Sequence, residues 1–237
     1  MNIRLDTHSH TLASEHAYST ILENAKSAAE RGLDLLAITD HASQMSDAPH
    51  IAHFVNYGIL DKTLYGVEML YGAEIDIIDF DGNVSMEPGL RRKMDLCIAS
   101  FHAIILAAGS RKENTRAYLQ AMQQEGVAII GHPDDSNIPV DYEALVREAK
   151  QTGVLLEVNN ASFKHRYRQD AAENTKTMLA LCEQYGVSTS IGSDAHFAPA
   201  VGEFGLAVAV LEEARFPKEL VINLDVGRFR EFIAKRK

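Results

Sequence analysis

The stretch Asp34-Leu35-Leu36-Ala37-Ile38-Thr39-Asp40-His41 decides the fold. Its first half is a short continuous apolar run, the form of a strand buried on both faces. Its end turns abruptly to a carboxylate and an imidazole. In a parallel sheet covered by helices, strand C-termini share one rim and chemistry collects there.

The same pattern recurs on both sides of this stretch. Further apolar runs rich in Ile, Val and Leu lie at Ile3–Thr7, Met69–Ile75, Leu96–Ser100, Val127–Ile130, Val154–Val158 and Val187–Ile191, with a late short run at Leu220–Leu224. Helical segments separate them. Thr20 and Glu23 have the spacing of a capping box for a helix that stops at Gly32. Asn114, Asp141 and Asp170 are candidate caps for helices stopped by Gly126, Gly153 and Gly186, and Gly227–Lys237 reads as a basic last helix. Gly205 to Leu211 reads as a buried helix, and Phe80-Asp81-Gly82-Asn83 as a hairpin turn. Strand–helix alternation argues for an α/β fold with a parallel sheet, and seven or so strands suit a closed or nearly closed barrel, with a doubly wound open sheet as the alternative. There is no repeat and no linker, so residues 1–237 read as a single domain.

Composition narrows the function. Against 23 Lys+Arg stand 33 Asp+Glu, a net charge of −10, which disfavours nonspecific binding of nucleic acid. The longest apolar stretches, such as Ala103 to Ala108, are far short of the roughly 18 residues of a membrane span. Met1 to Asp6 has no apolar signal core, so a cytoplasmic location is expected. Cys97 and Cys182 are isolated, Cys97 reading as plain core, so a thiolate zinc site is excluded. Any bound metal must be held by imidazole and carboxylate.

The ten His are placed accordingly. The first run ends in Asp6-Thr7-His8-Ser9-His10, where His8 and His10 share a face at i, i+2. Other runs lead into Thr39-Asp40-His41, Gly72-Ala73-Glu74, Phe101-His102, Gly131-His132-Pro133 and Gly192-Ser193-Asp194-Ala195-His196. His16 follows His10 in a loop. His50, His53 and His165 follow no strand directly, and surface placement is expected for His50 and His53. Seven imidazoles and two carboxylates exceed the roughly four ligands of one zinc ion. They suit two to three divalent ions, and the mixed N and O donors favour Zn, Mn or Fe(II).

In this order, from position 6 to 196, the motifs resemble those of the PHP (polymerase and histidinol phosphatase) family, closest to its small stand-alone bacterial phosphatases with a trinuclear site. The resemblance implies a distorted (β/α)7 barrel and a ligand assignment. His8, His10, Glu74 and Asp194 would hold one ion. Glu74, as bridge, would hold a second with His102 and His132. His16, His41 and His196 would hold a third. Glu157-Val158-Asn159-Asn160-Ala161-Ser162-Phe163 also resembles the sixth-strand end of that subgroup. The implied activity is hydrolysis of a small phosphomonoester by a metal-bridging hydroxide, with Glu74, Asp194 and His196 as the catalytic set. The resemblance permits a homo-oligomer without establishing one.

Neighbouring residues have two readings each. Asp6 and Asp40 either orient imidazoles or cap loop amides. A phosphatase needs positive charge near the phosphoryl group, which Arg166 and Arg168, or less directly Arg111 and Lys112, could supply. No GxSxG nucleophile motif is present. Rival readings are an amidohydrolase-type metal enzyme, a PHP phosphodiesterase or exonuclease, and a noncatalytic metal-binding module. The first would place a carbamylated Lys where Glu74 stands. The second is disfavoured by the acidity and by the lack of a second domain.

Overall fold

A computed structural model describes residues 1–42, 48–164, 168 and 170–236 of the chain. The strands are β1 (Leu5–Asp6), β2 (Leu35–Ile38), β3 (His41–Ala42), β4 (Thr63–Leu64), β5 (Val67–Tyr71), β6 (Ala73–Asp76), β7 (Cys97–Ser100), β8 (Val127–Ile130), β9 (Leu155–Asn159) and β10 (Thr189–Gly192). The helices are α1 (Ile21–Glu30), α2 (Ala52–Val55), α3 (Pro88–Arg91), α4 (Arg111–Met122), α5 (Tyr142–Thr152), α6 (Ala171–Tyr185), α7 (Gly205–Glu213) and α8 (Val226–Ala234). Two ladders form, β1-β2-β5-β4 and β10-β9-β8-β7-β6-β3, parallel except at the β4–β5 hairpin.

The ladders join at two places. The apolar run Met69–Ile75 is not one strand but two. Gly72 separates β5 from β6, and its amide still donates to Ile38 O (2.8 Å) while Ala73 N donates to Leu96 O (3.0 Å). A Cβ at Gly72 would stand 2.1 Å from Leu96 O, so only glycine permits the change of partner. At the other seam, Ser9 bridges Ala195 in parallel, His10 N donates to Ala195 O (2.8 Å) and Asp194 N to His8 O (2.9 Å). The strands thus follow one another around a distorted α/β barrel.

Below this seam, β1 and β10 do not pair directly. Asn223 stands between them. Its Nδ2 donates to Leu5 O (3.0 Å) and Ile191 O (2.8 Å), and its Oδ1 accepts from Ile191 N (2.7 Å). The run Leu220–Leu224 is therefore no strand. It forms parts of two 3-10 turns, Lys218–Leu220 and Ile222–Leu224, that deliver this amide as a substitute peptide group.

Inward and outward residues alternate along the strands. Leu5, Leu35, Ala37, Leu96, Ile98 and Leu155 face inward and meet Ile222, Phe229 and Ile233, so that α8 plugs the bottom of the barrel. Leu36, Ile38, Cys97 and Leu156 face the helical layer. Burial pushes the Cys97 thiol up to about 12, as expected of plain core.

Helix ends follow local chemistry, with corrections: Asp170 stands before α6 in left-handed backbone, at φ 59°, and its side chain makes no capping hydrogen bond. Thr20 and Glu23 form the capping box of α1, and Asp141 caps α5. Asn114 is not the cap of α4; Ser110 is, in a capping box with Glu113. Asn114 lies one turn inside and uses its amide on Gly109 and Pro139. The last helix is opened by Asp225 and ends at Ala234, and α7 buries Ala207, Val210 and Leu211. The turn at 80–83 stands as expected, with Ile78 N donating to Asn83 O (2.9 Å) and Gly82 at φ 73°. Among the described residues, no helix is long and apolar enough to cross a membrane.

Candidate metal centre

The inward face changes character towards the strand C-termini. Glu74 lies on β6, beside His41 of β3 in register. His8 and His10 continue β1, while His102, His132 and Asp194 follow β7, β8 and β10. Asp194 and His132 hold left-handed backbone at φ 52° and 28°, conformations that cost non-glycine residues about 1–3 kcal/mol and cluster at working sites.

All nine side chains meet. His8 Nε2 lies 3.3 Å from Glu74 Oε2 and 3.6 Å from Asp194 Oδ1; for His10 Nε2 the distances are 3.5 and 3.2 Å. Donors about 2.0–2.1 Å from one tetrahedral ion stand roughly 3.3 Å from each other, so these four atoms have the spacing of a coordination shell. The other carboxylate oxygen, Glu74 Oε1, is 3.0 Å from His132 Nε2 and 3.4 Å from His102 Nε2. His41 Nδ1 is 3.0 Å from Glu74 Oε2, which makes it a neighbour of both groups. The His16 ring lies 5.1 Å from that of His41 and 4.5 Å from that of His196.

These donors fit divalent ions on a second ground. His8 Nε2, both ring nitrogens of His10, His41 Nδ1 and His196 Nε2 are buried without a hydrogen-bond partner. At about 1–3 kcal/mol for each unsatisfied group, the set approaches the whole stability of a domain, about 5–15 kcal/mol. Bound cations would relieve that penalty at the same nitrogens.

Carboxylates set the tautomers. Glu157 Oε1 accepts from His8 Nδ1 (2.8 Å) and Asp76 Oδ1 from His102 Nδ1 (2.7 Å), so each ring turns its Nε2 to the centre. Glu157 also accepts from His132 N (2.9 Å), and Ser100 Oγ donates to Glu74 Oε1 (2.6 Å). Burial alone would raise Glu74, but His8, His41 and His102 outweigh it and hold the carboxyl well below its usual range. Burial alone would lower His8 and His102. Carboxylates outweigh it, Glu157 first for His8 and Glu74 first for His102, which rises to about 10. Burial, with His196 and His41 beside it, pushes His10 down to about 3, the neutral ligating form. The carboxylates of this cluster therefore call for positive charge, from protons or from ions.

The expectations for the surrounding residues divide. Asp6 caps loop amides, accepting from Ser193 N (3.0 Å) and Gly202 N (3.0 Å). Asp40 likewise binds Thr11 N (2.7 Å), Thr11 Oγ1 (2.8 Å) and Ser14 Oγ (2.8 Å). His50 is exposed, but His53 is not a plain surface residue: it is half-buried, with Nε2 3.1 Å from Tyr57 OH and 3.5 Å from Asp40. Arg111 and Lys112 line a separate groove on α4 with Thr115 and Arg116. His165 and Arg166 lie outside the described residues.

Arg168 does reach the centre. It lines a cavity of about 530 Å³ together with His16, His41, Glu74, His102, His132, Asp194 and His196. Its Nη1 donates to Ser162 Oγ (2.8 Å), and that hydroxyl donates to the buried Asp134 (2.9 Å). Asn159 bonds both Asp194 Oδ2 and Glu157 Oε2 (3.1 Å each) and accepts from Ser162 N (3.1 Å). One network thus fixes the guanidinium relative to the imidazoles. The sequence reading did not assign Glu157, Asp76, Ser100, Asn159 or Lys164 a place at this site. The signal was available in part: Leu155, Glu157 and Asn159 share one strand parity, as do Ile98, Ser100 and His102.

The PHP domain model matches residues 6–215. The chain belongs to the PHP family. It is 39% identical over 236 residues to a probable phosphatase of Clostridium novyi, covering 100% of this chain and 96% of that one. It is 40% identical over 237 residues to a probable phosphatase of Acetivibrio thermocellus, covering 100% and 98%. Among solved structures, the histidinol phosphate phosphatase of Lactococcus lactis, complexed with zinc, L-histidinol and phosphate, matches with TM-score 0.63. It is 15% identical and is covered to 94%, against 90% of this chain. That likeness carries the PHP fold, and the distorted barrel described above agrees with it.

Proposed function

We propose that this protein is a metal-dependent phosphatase that hydrolyses a small phosphomonoester, with residues 1–237 acting as one hydrolase domain. The observation that carries the reading is the meeting of nine N and O donors at one centre, seven of them lining a cavity that a network-held arginine also lines. The names of the PHP relatives at 39% and 40% identity support it.

His8, His10, Glu74 and Asp194 would hold one ion, Glu74 with His102 and His132 a second, and His16, His41 and His196 a third. Zn, Mn or Fe(II) suits these donors. Such ions, when bound, acidify water and screen charge on a phosphoryl group. The chain supplies the rest. Glu157 and Asp76 fix the rings of His8 and His102, so the donor atoms are set before substrate arrives. Arg168, anchored through Ser162 and Asp134, faces the cavity where it can pair two non-bridging oxygens and offset charge gathering there in the transition state. Water adds to phosphorus, the bond from phosphorus to the ester oxygen breaks, and the proton from water leaves on the alcohol.

An amidohydrolase-type site would need a lysine as bridge, and Glu74 takes that position. Purified protein supplied with Zn or Mn should release phosphate from p-nitrophenyl phosphate. It should lose that activity on chelation and regain it on metal return. Hydrolysis of amides or lactones with no attack on phosphoesters would overturn the reading.

A further inference from the structure

His53 stands outside the ligand set, yet it touches a carboxylate that organises one of the ligand loops. The segment 48–60 carries no Asp, Glu, Lys or Arg, in a chain that is 24% charged. It forms α2 and a 3-10 turn, Asn56–Ile59. Phe54 and Tyr57 sink into the core, 2% and 5% exposed, and the Tyr57 ring packs on that of Tyr71 from β5, 5.4 Å between centroids. This anchoring fixes where His53 stands. Its Nε2 lies 3.1 Å from Tyr57 OH and 3.5 Å from Asp40 Oδ2.

Asp40 is fully buried. Burial of a carboxylate is costly unless its oxygens find donors, and it has about four acceptor positions. Thr11 N, Thr11 Oγ1 and Ser14 Oγ fill three of them. The His53 imidazole faces the fourth. Ser14 Oγ in turn accepts from His41 N (3.0 Å). Ser14 N donates to Thr11 O (2.9 Å) and Ala17 N to Ser14 O (2.7 Å), so His16 rides on successive turns that start at Asp40. The carboxylate thus joins the loop of His16 to the strand of His41.

We infer that His53 is a positioning residue for the third ion: through Asp40 it holds the 11–17 loop against β3, and so sets His16 relative to His41 and His196. This rests on the metal-centre reading above and gives a role to a histidine outside its ligand set. The rings of His8 and His102 are oriented instead by Glu157 and Asp76, so the other two ions should not depend on His53.

The test is Zn binding, read by calorimetric titration and by metal content after dialysis. The unaltered protein should take three ions. His53→Ala should keep two at unchanged affinity and bind the third at least tenfold more weakly, the scale of losing a residue that orients a ligand. His53→Gln, which returns a donor near the Nε2 position, should restore the third ion to within about threefold. Thr11→Val loosens the same contact from the loop side. It should also weaken the third ion, and add little on top of His53→Ala. Thermal unfolding of each metal-free variant reports on folding separately, and if His53→Ala does not fold, Thr11→Val decides. A third ion held at unchanged affinity, or all three lost together, would overturn the inference. So would an unaltered protein that is active with two ions, which leaves the phosphatase reading standing. If the unaltered protein binds no metal and releases no phosphate from p-nitrophenyl phosphate, the phosphatase reading fails and the role of His53 fails with it.

Discussion

The two ends of the barrel treat their large buried polar side chains differently. At the bottom, the large polar side chains have intramolecular partners. Arg91, only 4% exposed, donates to Glu125 O (2.8 Å) and to Met86 O. Arg236 of the C-terminal segment donates to Thr152 O (2.6 Å) and Val127 O (3.2 Å), and Asn223 completes the β1–β10 seam. At the top, among the described residues, five buried imidazole nitrogens have no hydrogen-bond partner. Satisfied polar groups specify and stabilise a core; a convergent unsatisfied set is a site prepared for something else.

Substitutions at the two ends should therefore have opposite signatures. The largest effect is expected at the top. His10→Ala or Asp194→Asn should lower kcat/KM by about a thousandfold or more, the scale of losing a charge-stabilising element. Thermal unfolding of the metal-free His10→Ala variant should barely change, since both ring nitrogens of His10 are buried without a hydrogen-bond partner. At the bottom, Asn223→Ala breaks three buried hydrogen bonds and should cost about 2–4 kcal/mol of stability by denaturant unfolding, with metal content per folded chain unchanged. A strongly destabilised metal-free His10→Ala, or a metal-poor yet stable Asn223→Ala, would break the contrast.

Two smaller effects sharpen it. Glu157→Gln weakens the bond that sets the His8 tautomer and should reduce metal affinity or activity by about 10–100-fold, read by metal titration. Ser162→Ala removes the hydroxyl between Arg168 and Asp134 and should raise KM by about tenfold with kcat within about twofold, one charged hydrogen bond being worth about 1.5–3 kcal/mol. In an Arg168→Ala background the Ser162→Ala effect should vanish, which a purely structural role would not produce.

Much of this was legible in the sequence because it is local. Apolar runs that end in His, Asp or Glu are contiguous features, and so are the caps of α1 and α5. Strand parity also placed His8 with His10. What escaped depends on contacts distant in sequence. The Met69–Ile75 run breaks at Gly72 because Leu96 O lies against it, 24 positions away. Asn223 looks like part of a strand until β1 and β10 fail to pair. Glu157 reads as a strand-end carboxylate until His8, 149 positions distant, is beside it. The Ser110-x-x-Glu113 capping box was local and readable, but Asn114 drew the assignment one turn too far along.

Metal content measured by mass spectrometry on the purified chain, paired with phosphatase rate on the same sample, tests the metal centre most directly. Two to three Zn, Mn or Fe ions per chain are expected, with the rate falling in step as they are stripped and the His8→Ala/His10→Ala variant both metal-poor and inactive. Full phosphatase activity in a sample that holds no metal, with His8 and His10 both replaceable, would contradict the assignment.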